Sequence, residues 1–147
     1  MIKNLLVPLD GTDLSERAMR ESIELARQLG ASITGFVAEP DVPLPHMGKN
    51  MAQYRQERDA HQVVTDTHAH ALLAQFGERA QQAGVPFTAR HQITDRVDAA
   101  IVDLAEQLED GLIVMVTHGR GVFAGLLFGS HTRNVMALTK VPLLVLH

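Results

Sequence analysis

The chain has 147 residues, 46% of them hydrophobic and 20% charged, which suffices for one domain with its own core. Seventeen acidic residues against thirteen basic ones leave a net charge of −4 with no basic cluster, so nucleic acid is not an expected partner. The absence of cysteine excludes a disulfide framework, a thiolate nucleophile and a cysteine zinc site. No apolar run reaches the ~18–20 residues that span a bilayer, so no membrane association is expected. Met1-Ile2-Lys3-Asn4 enters a short apolar run without the h-region of a signal peptide. A soluble cytoplasmic protein with a single domain over residues 1–147 is expected.

Asn4 to Leu9 is a short apolar run that reads as a strand. Asp13 to Leu29 follows as a helix, with Leu14, Ala18, Ser22, Leu25 and Leu29 on one stripe, Met19, Ile23 and Ala26 beside it, and Gly30 as its C-cap. Ser32 to Ala38 is the second strand. Glu39 to Lys49 carries three prolines and reads as an extended segment, either overhanging the strand ends or simply crossing the surface. A long helix runs from about Met51 to Ala83, stopped by Gly84-Val85-Pro86. Phe87 to Ile93 alternates, so one face is wetter and the strand belongs at an edge. Val97, Ala100, Ile101, Leu104, Ala105 and Leu108 define another helix, capped by Thr94 or Asp95 and ended at Asp110-Gly111. Leu112 to Val116, a helix from Ser130 to Thr139 and a strand from Leu143 to Leu146 complete the chain. Continuous apolar strands alternating with helices predict a doubly wound parallel sheet between helix layers.

In such sheets ligands sit beyond the carboxyl ends of the strands, where strand order reverses. Asp10-Gly11-Thr12 lies there after the first strand. Asp10 is either an N-terminal cap or a ligand contact; Thr12 and Asp13 can cap in its place and leave it freer. The second candidate is Thr117 to Ser130, with four glycines in the eleven residues from Gly119 to Gly129 and Ser130 at or near the next helix start. Glycines admit an anion close to backbone N–H groups, and a helix start adds free donors and partial positive charge. The alternative is a tight turn with an ordinary cap. A P-loop is excluded because His131, not lysine, follows Gly129-Ser130. Gly119-Arg120-Gly121-Val122-Phe123-Ala124 matches a dinucleotide fingerprint in letters only, since no helix opens there. A phosphoacceptor receiver fails as well, because Asp10 has no acidic neighbour.

Together these residues resemble the universal stress protein family over nearly the whole chain. The resemblance rests on Leu6-Val7-Pro8-Leu9-Asp10-Gly11-Thr12 with Ser15-Glu16-Arg17-Ala18, on Gly35-Phe36-Val37-Ala38-Glu39-Pro40, and on Thr117-His118-Gly119-Arg120-Gly121 with Gly129-Ser130. Nine residues separate Gly119 from Gly129, as in the family's nucleotide-binding members. The family's first loop glycine falls on Val116, where a branched side chain crowds the ribose or α-phosphate and, at positive φ, is strained. The resemblance implies a three-layer α/β sandwich of the adenine nucleotide alpha hydrolase-like type, with five parallel strands ordered 3-2-1-4-5. It also implies that Asp10 contacts the adenine or ribose of ATP or AMP and that the backbone of Val37 faces the adenine. Gly119, Gly129 and Ser130 then hold the phosphates, with Arg120 and His131 nearby. His118, beside the loop, either meets a ligand or bonds backbone.

His61 and His68 share a face of the long helix but lack the spacing and third ligand of a zinc pair, so no metal site is expected. No water-activating base is visible; at most slow ATP hydrolysis is expected, with Mg²⁺ arriving only with bound nucleotide. The final strand, Pro142 to His147, is apolar and lies at a sheet edge, to be covered by the same strand of a second copy or by the chain's own loop. The resemblance implies the first, a homodimer. The expected function is a dimeric adenine-nucleotide sensor of a stress response. The alternative is a nucleotide-independent interaction module whose pocket Val116 fills.

Overall fold

A computed structural model describes residues 1–41, 48–117 and 129–147. The elements are β1 (Asn4–Leu9), α1 (Asp13–Leu29), β2 (Ser32–Glu39), α2 (Met51–Gln82), β3 (Phe87–Ile93), α3 (Val97–Gln107), β4 (Gly111–Val116), α4 (Ser130–Leu138) and β5 (Leu143–Leu146). The strands form one parallel sheet in the order β3-β2-β1-β4-β5, so the expected architecture holds. Successive side chains of a strand point to opposite faces, and this divides the core in two. Leu5, Val7, Leu9, Ile33, Val37, Leu112 and Val114 pack under α1 and α2, whereas Leu6, Phe36, Ile113 and Met115 pack under α3 and α4. The inner stretches Leu5 to Leu9 of β1 and Leu112 to Val116 of β4 are therefore apolar on both faces, as burial between two helix layers requires.

Phe87, at the start of edge strand β3, packs beside Phe76 of α2 with ring centroids 5.0 Å apart. It fills a notch made by two glycines: a Cβ on Gly35 would lie 2.7 Å from its ring, and one on Gly77 3.0 Å. Helix α2, at 32 residues, is about 48 Å long, whereas the seven residues of β3 span about 23 Å. Only its second half, from Ala69 through Leu73 and Phe76 to Ala80, is buried; Val63 and Val64 of the first half are exposed. A capping box fixes its start, with the Gln53 N–H donating to Asn50 Oδ1 at 2.9 Å and the Asn50 N–H to Gln53 Oε1.

Three local expectations are corrected. The buried stripe of α1 is Ser15, Ala18, Met19, Ser22 and Ala26, while Leu29 is 39% exposed. Small side chains bring this helix close to the sheet, and Ser22 satisfies its buried hydroxyl by donating to the Ala18 carbonyl. Neither Thr94 nor Asp95 is the N-cap of α3; Arg96 holds that position, and Thr94 Oγ1 accepts from the Arg96 N–H at 3.0 Å in a turn just before it. The helix ends at Gln107, with Leu108 as C-cap, rather than running to Asp110. Gly30 is the C-cap of α1, at φ +65°, as expected.

Asp110 adopts a left-handed φ of 52° between α3 and β4, and its carboxylate pairs with Lys3 Nζ at 2.8 Å. The hydrogen bond from Lys3, then its charge, holds the Asp110 carboxyl below the ordinary carboxylate range. A folded-state value depressed in this way stabilises the fold above the unfolded value and ceases to do so as pH falls through the folded one. The small stability deficit of Lys3→Met is therefore present at neutral pH and vanishes in acid, as urea unfolding at the two pH values will measure.

Candidate functional site

The sheet reverses its order between β1 and β4, and a crevice opens there for a reason visible in the backbone. The two strands pair only through Asn4–Gly111, Leu5–Leu112 and Leu6–Ile113, although both continue for three more residues. Alternate residues of a strand direct their backbone groups to the same neighbour. The Asn4 N–H donates towards β4, to the Asp110 carbonyl, so Leu6 and Pro8 face β4 as well. Pro8 has no N–H to donate. The ladder to β4 thus lacks its next donor at the point where the strands part, while pairing with β2 runs on to Leu9–Val37.

On the β1 side, Asp10 is exposed but engaged. Its Oδ1 accepts from the Thr12 N–H at 3.0 Å, the Thr12 hydroxyl at 2.7 Å and the Ser15 hydroxyl at 3.3 Å. This corrects the expectation that Thr12 and Asp13 leave Asp10 free, since Thr12 is the N-cap but makes no side-chain cap bond. None of the three bonds uses Oδ2. Gly11, at φ +78°, turns the chain so that its own N–H reaches Ser15 Oγ at 3.1 Å. Ser15 is buried and organises the loop from beneath, a role that its place in the opening motif signals only by resemblance.

On the β4 side, Val116 is the last strand residue, in register with Leu146 of β5, and its side chain packs against the core under α1. Its φ is not positive, because Asp110 is the only non-glycine residue with positive φ among the described residues. The strain expected of valine at this position is therefore absent. Thr117 follows, 5% exposed, with its N–H on the Leu146 carbonyl at 2.8 Å. Thr117 Oγ1 is a buried side-chain oxygen with no hydrogen-bond partner among the described residues. The sequence places Thr117 at the head of the second candidate segment but gives no sign that its hydroxyl is buried. His118, Gly119 and Arg120 lie outside the described residues.

Gly129 is the N-cap of α4 and Ser130 its first residue, both exposed, with no side-chain cap bond at this helix start. His131 turns to α3 instead, its Nδ1 lying 2.5 Å from Asp98 Oδ1, and Asn134 Nδ2 donates to Asp98 Oδ2 at 2.7 Å. Val37 sits within the sheet between Leu9 and His91, its side chain 5% exposed in the core. The structure thus places the Asp10 loop and Thr117 after the carboxyl ends of the neighbouring strands β1 and β4. It keeps Val37 one strand away and ties His131 to a carboxylate.

A doubly wound parallel α/β sheet whose strands β1 and β4 part at the switch point defines the class of protein. The chain belongs to the universal stress protein family, whose model matches residues 1–147. It is 28% identical over 145 residues to a universal stress protein of Mycobacterium tuberculosis, covering 99% of this chain and 96% of that one. Among solved structures it is similar to a universal stress protein in complex with cAMP, with a TM-score of 0.70, 24% identity and coverage of 99% and 97% of the two chains. It is also similar to the universal stress protein of Archaeoglobus fulgidus in complex with dAMP, with a TM-score of 0.64, 18% identity and coverage of 100% and 98%. Among the described residues no helix is long and apolar enough to cross a membrane.

Proposed function

We propose that residues 1–147 act as one domain that binds an adenine nucleotide, ATP or AMP, in the crevice between β1 and β4, as a dimeric sensor in a cytoplasmic stress response. The observation that carries this reading is the buried Thr117 hydroxyl, which has no partner among the described residues and comes directly after the carboxyl end of β4. An unpaired buried polar group costs free energy unless something meets it. Asp10 Oδ2 then takes a ribose or adenine donor, and the adenine reaches across β1 to the backbone of Val37. Ser130 and the first backbone N–H groups of α4 take phosphate oxygens, with Gly119, Gly129, His118, Arg120 and His131 around them. Mg²⁺ enters only with the nucleotide, and hydrolysis is at most slow. The nucleotide complexes of structural relatives support the ligand class.

The dimer forms through β5, whose residues Leu143 to Leu146 are all half-buried at a sheet edge, an arrangement that a second copy completes. A second reading, a nucleotide-independent interaction module, rests on Val116, a half-buried valine where the nucleotide-binding pattern has its first loop glycine.

Thermal unfolding with and without ATP and Mg²⁺ separates the two readings. Ligand at about a hundred times its Kd adds roughly 2.7 kcal/mol of stability, enough to raise Tm by several degrees in a domain of this size. The sensor reading expects that rise. No rise at millimolar ATP overturns it.

A further inference from the structure

We infer that Glu39, Asp66 and His91, with His70 beside them, form a binding site for a divalent first-row transition-metal ion of the Zn²⁺ type, separate from the β1–β4 crevice. His91 Nε2 is the centre of the group. It lies 2.9 Å from Glu39 Oε2 and 4.0 Å from Asp66 Oδ1, and the three candidate ligand atoms are all within 4.8 Å of one another. The side chains of His91 and Glu39 are only 15% and 13% exposed and that of Asp66 37%, so the group is recessed yet open to an ion on one side. Tetrahedral zinc with ligand bonds of about 2.0–2.2 Å places its donor atoms roughly 3.3–3.6 Å apart. The two distances from His91 bracket that spacing, so small side-chain rotations suffice.

Three separate elements bring these residues together. Glu39 ends β2, two residues beyond Val37, and therefore on the face that carries α2. His91 is in register with Val37 across the β2–β3 ladder. Asp66 lies three residues before Ala69 and continues the buried stripe of α2 past its apolar part; Gln62 Nε2 donates to its Oδ1 at 2.8 Å. His70, one turn after Asp66, sets its ring edge-on to that of His91 with centroids 5.3 Å apart, which places a second imidazole beside the three ligands.

The chemistry favours a metal over a simple ion pair. Two carboxylates converge on a single imidazole nitrogen that has one proton to give, and a dication satisfies both at once. Coordination uses the Nε2 lone pair, so the imidazole keeps its proton on Nδ1. A mixed imidazole–carboxylate set selects Zn²⁺ and its neighbours over Mg²⁺, which prefers oxygen ligands and retained water. The bound ion ties α2 to the outer strand pair where that helix leaves its buried stretch.

Calorimetric titration of the full chain with Zn²⁺ alone, in a buffer that does not chelate, tests the site. One equivalent binds tightly. His91→Gln and Asp66→Asn each weaken it at least tenfold, whereas replacement of the exposed His61 and His68 by glutamine leaves it unchanged. Far-UV circular dichroism verifies folding of each variant, and Asp66→Asn, on the outer part of a helix, decides the matter if His91→Gln does not fold. The proposal is overturned by no tight binding to the parent, by unchanged affinity in a folded His91→Gln or Asp66→Asn, by loss of binding in the His61 and His68 variant, or by displacement of Zn²⁺ by equimolar Mg²⁺.

Discussion

Phe76→Ala lowers the stability of the domain by about 3–5 kcal/mol, a large part of the roughly 5–15 kcal/mol of a whole domain. Phe76 is 0% exposed, lies among the residues that join α2 to the sheet, and holds Phe87 in the notch of Gly35 and Gly77. Truncation leaves a cavity that Phe87 cannot fill, because both glycines already bring backbone against its ring. Edge strand β3 is then held by its pairing with β2 and little else on its inner face. Urea unfolding reads this as a lower midpoint with an unchanged slope. Val64→Ala, at an exposed position of the same helix, stays within about 0.5 kcal/mol of the parent. Equal costs at the two positions would mean that α2 packs along its whole length, contrary to the burial of its second half alone.

The same contrast along α2 shows what the sequence makes legible. Its limits follow from Met51 at one end and Gly84-Val85-Pro86 at the other, and the strands follow from continuous apolar runs. Which half of the helix is buried depends on how far the sheet extends beneath it, a tertiary quantity. The stripe of α1 misleads by one position because small residues, Ser15, Ala18 and Ser22, face the sheet, so that apolar size ceases to mark the buried side.

At the crevice, glycine spacing and helix capping single out the loops that follow β1 and β4, and Pro8 marks where the two strands part, though only the register shows which neighbour loses its donor. The engagement of Asp10 with Ser15 and the pairing of His131 with Asp98 arise from three-dimensional neighbours. The Glu39–Asp66–His91 group is hidden for the same reason. Its members lie 27 and 25 residues apart, on two strands and a helix, whereas attention to helical spacing leads to His61 and His68. The alternation of β3 does place His91 on the inner face with Phe87, and that is the one trace of the group in the sequence.

Val116→Gly tests the crevice at the position where the chain departs from its family's pattern. The substitution costs about 1–2 kcal/mol without ligand, because a half-buried valine is lost and a strand residue gains freedom. Near saturating ATP and Mg²⁺, a functional cradle returns roughly 2.7 kcal/mol, a Tm rise of about 5–10 °C. The two effects have opposite sign and are separable by titrating ligand into each protein. Equal rises in parent and variant mean that Val116, turned into the core beside Leu146, stays clear of the nucleotide. A rise in the glycine variant alone means that the cradle is intact and the valine closes it, which makes the interaction module the function of the native chain. Absence of a rise in both removes adenine nucleotide as the ligand of the crevice and leaves the Thr117 hydroxyl to be satisfied by another group.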